Sequence, residues 1–163
     1  MMEKDLVVIA EPQEIQLLDK IGLMGHRIFI TGVGALNVME ALKDFPRDTH
    51  IINVGYAGSK DLPVKRFYLV SFCTLNHPNV NYTEPTYDLR PKGFNSYKEM
   101  YELEEKVCYT GCDFVTQSKI PNCLFDMELA YIKGLGFGNV TAFKYVSDNL
   151  DLQEYRKTAK ENQ

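Results

Sequence analysis

No Cys-x-x-Cys pair occurs among the four cysteines, Cys73, Cys108, Cys112 and Cys123, and no histidine lies near any of them in sequence. His26, His50 and His77 are singletons, so the spacing of a zinc site is missing. The thiols are expected to be structural or incidental, which fits a soluble, reducing, cytoplasmic setting. There is no basic stripe: 18 basic and 22 acidic residues give a net charge of −4, with the lysines scattered, so nucleic acid is not an expected partner. Long apolar runs are missing too. The run at 6–10 is too short for a signal-peptide core or a membrane span, and no membrane partner is expected. No Gly-Lys-[Ser/Thr] is present, which excludes a P-loop. No repeat or low-complexity tract is visible.

What remains is an ordinary globular composition, 45% apolar and 25% charged, over 163 residues. That length predicts one domain, 1–163, with a sizeable core. Leu6-Val7-Val8-Ile9-Ala10 reads as a strand buried on both faces, followed by a helix start at Pro12. Further strands are expected at 27–31, 49–54, 66–75, 106–109, 114–116 and 140–146, and helices at 35–45, 124–132 and 150–160. The proline-bearing stretch 76–95 reads as a long loop, and Gly55-Tyr56-Ala57-Gly58 as a turn closing the third strand. Strands alternating with helices predict an α/β protein with a largely parallel or mixed sheet, whose ligands gather at the carboxyl ends of the strands.

Several polar residues fall at those ends. Glu14 follows the first strand and Asp148 the strand at 140–146. Each has a plainer alternative: Glu14 favouring its helix dipole, Asp148 capping the last helix. In Leu124-Phe125-Asp126-Met127-Glu128-Leu129-Ala130-Tyr131-Ile132, helical periodicity would put Glu128 in an otherwise apolar stripe with Leu124, Phe125, Tyr131, Ile132 and Leu135. It would there need a partner, or else lie at the stripe's edge and bend out to water. Gly32-Val33-Gly34 is a poor dinucleotide fingerprint, because Asn37 stands where a third glycine belongs and no acidic residue ends the following strand.

Six ordered segments resemble the nucleoside phosphorylase and nucleosidase superfamily, and within it the 5′-methylthioadenosine/S-adenosylhomocysteine nucleosidases. They are Val8-Ile9-Ala10-Glu11-Pro12-Gln13-Glu14-Ile15, Gly32-Val33-Gly34-Ala35-Leu36-Asn37 and Ile52-Asn53-Val54-Gly55-Tyr56-Ala57-Gly58, then Tyr109-Thr110-Gly111-Cys112-Asp113-Phe114-Val115, Phe125-Asp126-Met127-Glu128 and Val146-Ser147-Asp148. The resemblance implies a three-layer αβα fold with a central mixed sheet, no cofactor or metal, a small-molecule nucleoside as ligand, and a homodimer or larger homo-oligomer. It implies that Glu128 accepts the ribose 2′- and 3′-hydroxyls, that Met127 packs on the sugar, and that Phe114 stacks on the purine while neighbouring backbone reads its edge. Asp148 would protonate purine N7 and Glu14 would activate the attacking water. Val115, Ala57, Gly58 and Ser147 are implied substrate-binding positions within the same motifs.

The chain also departs from the family. It is short, with little between positions 18 and 27. Lys144 stands where an arginine usually helps hold the water, Tyr56 where a small serine lies near the sugar, and Cys112-Asp113 moves the acidic residue of its motif by one position. The implied activity is N-ribosyl hydrolysis of 5′-modified adenine nucleosides. The alternatives are a purine nucleoside phosphorylase and a degenerate, non-catalytic nucleoside-binding protein. Asn53 in place of a phosphate-binding arginine, with Glu11 and Glu14 at the first helix start, favours water over phosphate as nucleophile.

Overall fold

The computed structural model describes residues 5–76, 86–90 and 93–161. β1 (Asp5–Ile9) is buried along nearly its whole length, as a Leu-Val-Val-Ile run requires. It pairs in parallel with β2 (Arg27–Ile30) on one side and β3 (His50–Gly58) on the other. β3 also pairs in parallel with β8 (Asn139–Asp148), which in turn runs antiparallel to β4 (Phe67–Leu75). β4 pairs with β6 (Glu105–Thr110), β6 with β7 (Leu124–Asp126), and β7 returns to β3 through Gly58 and Phe125. Five strands of the mixed sheet thus close on themselves, and short β5 (Thr86–Asp88) extends it beyond β4.

Helices cover both faces. α1 (Ile15–Lys20), α3 (Phe94–Met100) and α5 (Leu152–Glu161) pack Leu17, Leu18, Phe94 and Ala159 against Val7, Ile52, Val54 and Phe143. α2 (Ala35–Leu42) and α4 (Leu129–Gly134) pack Val38, Leu42, Leu129 and Ile132 against Leu6, Val8, Ile51 and Val140. Because side chains alternate along a strand, the odd and even positions of β3 supply the two cores. The arrangement is three layers, αβα, around a mixed sheet.

Four local expectations change. The stretch 124–132 is not one helix: Leu124 and Phe125 are buried in β7, and α4 begins only at Leu129. Asp126 Oδ2 accepts the Leu129 N–H at 2.9 Å, which starts the helix after the strand ends. A short apolar run suits a strand as well as a helix, and here strand pairing wins. Gly55-Tyr56-Ala57-Gly58 is no turn but the buried end of β3, with a bulge between Ala57 and Gly58. Residues 114–116 form no strand. Of the expected loop at 76–95, residues 86–88 are β5 and α3 starts at Phe94; 77–85 and 91–92 lie outside the described residues.

Candidate active site

Glu14 ends the 3-10 turn Pro12–Glu14 that leaves β1. Its side chain is 4% exposed and turns back over the strand end. Oε1 accepts the Ala10 and Glu11 N–H groups at 2.8 and 3.1 Å, and Oε2 accepts the Tyr56 N–H of β3 at 2.9 Å. Burial pushes the Glu14 pKa up, opposed by the charge of Lys144 and these three donors. Such contacts fix the carboxylate between two strands, well beyond what a helix-dipole role needs. Gly55 makes room for it: a Cβ there would lie 2.6 Å from Glu14 Oε2.

Glu128 precedes α4 rather than lying within it. Its Oε2 accepts the Gly34 N–H at 3.2 Å. Gly34 has φ +87, a left-handed conformation that suits glycine and turns this N–H inward. Burial, with Asp126 adding repulsion, pushes Glu128 up to about 8. Beneath it, fully buried Lys144 puts Nζ 2.9 Å from Asp126 Oδ2. Asp126 also accepts the Thr110 hydroxyl at 2.5 Å. Burial alone would raise Asp126, but Lys144 and Thr110 hold it below the ordinary carboxylate value.

Asp148, at the end of β8, is fully buried. Its Oδ1 accepts the Ser147 hydroxyl at 2.6 Å and its Oδ2 the Leu150 N–H at 3.0 Å. Burial outweighs these bonds and raises its pKa to about 6. It does not cap α5: Asp151 does, accepting the Gln153 and Glu154 N–H groups at 2.8 and 3.0 Å. Asp148 Oδ2 lies against Gly58, where a Cβ would be 3.0 Å away. Glu14 and Asp148 therefore sit against glycines three positions apart on β3, on the order of 10 Å along the strand.

Between them lies a cavity of ≈ 190 Å³. That is far more than the roughly 10–15 Å³ a single water needs, so it suits a small organic molecule. Of the residues singled out from sequence, Asp148, Glu14, Glu128, Met127, Phe114, Val115, Tyr56, Ala57, Gly58 and Ser147 all line it. Lys144 does not; it is behind the wall, spent on Asp126. Tyr56 does not crowd the opening, because its ring packs edge-on against Tyr145 and Tyr155, 6.0 and 5.8 Å away. Tyr155 is a lining residue that sequence reasoning missed. It comes from α5, stands 5.7 Å from the Phe114 ring, and donates to Glu11 at 3.2 Å. No local pattern marks it, because only the docking of α5 brings it to the cavity. Asp126, Glu11 and Asp113 also line the cavity, giving six carboxyl groups and no lysine or arginine among the described lining residues. Among the described residues no group of three His, Cys, Asp or Glu side chains is arranged to hold a metal ion. None of the described helices is long and apolar enough to cross a membrane.

The fold is that of the nucleoside phosphorylases and nucleosidases. Over 98% of its length the chain superposes on 94% of the 5′-methylthioadenosine/S-adenosylhomocysteine nucleosidase from Neisseria meningitidis in complex with methylthio-immucillin-A, with TM-score 0.75 and 22% identity. The futalosine hydrolase of Helicobacter pylori matches with TM-score 0.76 and 16% identity, covering 97% of this chain and 91% of that one. A Chlamydia trachomatis relative of the first enzyme gives 0.74 and 17%, over 99% and 89%. No family model and no curated protein matches the sequence.

Proposed function

We propose that the chain is an N-ribosyl hydrolase of adenine nucleosides modified at the 5′ carbon, such as 5′-methylthioadenosine or S-adenosylhomocysteine. One observation carries the proposal: a neutralisable carboxyl, Asp148, and a carboxylate held by three N–H donors, Glu14, face one cavity from opposite ends. Glu128 accepts hydrogen bonds from the ribose 2′- and 3′-hydroxyls, Met127 packs on the sugar, and Phe114 stacks on the purine beside the backbone of Val115. Asp148 gives its proton to N7 as the C1′–N9 bond breaks and its electron pair passes into the purine. Water adds to C1′ and Glu14 takes its proton. The cationic sugar between is stabilised by the carboxylates. Products are adenine and the 5′-modified ribose.

The lining favours hydrolysis over phosphorolysis. A phosphate dianion needs cations, and none of the described lining residues carries one. Asn53 lies behind the wall, its Nδ2 donating to the Val8 carbonyl at 3.1 Å. A homo-oligomer belongs to the same reading. Val33, at the cavity, leads into an exposed apolar row continued by Leu36 and Met39 of α2. So does a reducing, cytoplasmic setting, supported by four free cysteines. The binding-only alternative draws on Lys144, which does not line the cavity.

The test is chromatography of a nucleoside panel after incubation with and without phosphate. Free base at equal rates in both supports the proposal. Ribose 1-phosphate as co-product would replace it with phosphorolysis, and saturable binding without base release would replace it with the binding-only reading.

A further inference from the structure

Lys144 is a lysine with no exposed surface and no hydrogen bond of regular geometry at Nζ. Its one close polar contact among the described residues is the 2.9 Å approach to Asp126. A buried ammonium left so poorly satisfied is costly, and an apolar side chain would fill the space more cheaply. Its position suggests what it does there. Lys144 on β8 is in register with Gly55 on β3, and the missing side chain at Gly55 opens a gap. A Cβ there would be 3.5 Å from Lys144 Nζ and 2.6 Å from Glu14 Oε2. The ammonium and the Glu14 carboxylate are therefore roughly 6 Å apart at most, within the range where one charge shifts another's titration.

Three buried carboxyl groups, Glu14, Asp126 and Glu128, are arranged around this one ammonium, and its charge opposes burial at each of them. The other titratable neighbours supply no second cation. Cys73 and Cys108 are thiols that burial pushes up, Cys73 to about 12. Tyr131 and Tyr155 are likewise raised by burial. Lys133 donates instead to the Phe137 carbonyl at 2.7 Å. Asp126 is itself fixed by the Thr110 hydroxyl and the Leu129 N–H, so the ion pair is anchored to the start of α4.

We propose that Lys144, clamped by Asp126 behind the cavity wall, is a positioning residue that keeps Glu14 charged without touching the ligand. The pair works as a fixed dipole: the ammonium end faces Glu14, and the carboxylate end faces Glu128. Lys144 lowers the proton affinity of both glutamates, whereas Asp126 raises that of Glu128. The water-activating role of Glu14 rests on the hydrolase reading above; the charge coupling does not.

The test is a ¹³C NMR titration of the Glu14 and Glu128 carboxyl carbons in the full-length protein. Lys144→Met should move both midpoints to higher pH by about one unit or more, while Lys144→Arg, which keeps the charge, should hold them near wild type. Lys144→Gln, which removes the charge but keeps a polar side chain facing Asp126, should move both midpoints up in the same way. It carries the test if Lys144→Met does not fold. In turnover assays the acid limb of kcat/KM should follow the Glu14 midpoint in each variant. Glutamate midpoints unmoved in the folded charge-changing variants would overturn the proposal, leaving Lys144 a packing residue. Shifted midpoints in a protein that releases no base would instead sink the hydrolase reading and leave the coupling standing.

Discussion

Glu14 occupies the space that a side chain on Gly55 would fill: a Cβ at that position would come within 2.6 Å of Glu14 Oε2. The strand backbone and the carboxylate are thus packed in direct contact, with the Tyr56 N–H donating to the same oxygen at 2.9 Å. Gly55→Ala should force Glu14 out of place. The expected result is a kcat loss on the order of 10²-fold with a smaller change in KM, since misplacing a catalytic group by about 1 Å has that scale. Steady-state kinetics on a variant that still melts cooperatively would check it.

Glu128→Gln should weaken nucleoside binding by about 2 kcal/mol and leave adenine binding nearly unchanged, because only the nucleoside brings ribose hydroxyls. Calorimetry with both ligands measures the difference. Equal losses would remove Glu128 from the sugar subsite.

The pH profile follows from Glu14 and Asp148, two of the carboxyl groups that burial raises. Under the proposed mechanism Glu14 serves as the base only when ionised, so kcat/KM should rise on the acid side above the ordinary glutamate range. Asp148 donates only while protonated, so the rate should fall as pH passes about 6. Stability gives an independent check. The folded Asp148 holds its proton more tightly than the unfolded chain does, so its contribution is full below the unfolded value and declines as pH rises through about 6. Asp148→Asn should therefore raise Tm relative to wild type more at pH 8 than at pH 4.

Charge should also decide which nucleosides enter. Six carboxyl groups and no cation among the described lining residues disfavour an anionic ligand. Adenosine 5′-monophosphate should bind at least tenfold more weakly than adenosine, as measured by competition against a bound nucleoside. Equal affinity would mean that a cation outside the described residues reaches the site.

Much of this was legible in the sequence, for identifiable reasons. The buried strands announce themselves as Val- and Ile-rich runs, and the glycine and acidic segments at their ends mark where the cavity forms. Leu124 to Ile132 misleads because three strand residues and a helical turn share an apolar spacing that fits one helix. Only the pairing of Cys108, Tyr109 and Thr110 with Leu124, Phe125 and Asp126 settles the strand. Lys144 was placed at the ligand by resemblance, but its partner is Asp126, and no local pattern reports an ion pair between residues 18 positions apart. Tyr155 reaches the cavity through the docking of α5, a tertiary fact without a local signature.

The most direct measurement is the yield of free adenine and of reducing sugar from 5′-methylthioadenosine in phosphate-free buffer, for wild type and Asp148→Asn. The account predicts equal amounts of base and sugar from wild type, and a rate lower by about 10²–10⁴-fold in the variant with little change in affinity. Base release that Asp148→Asn leaves untouched, or none from a wild-type protein that binds the nucleoside, would contradict it.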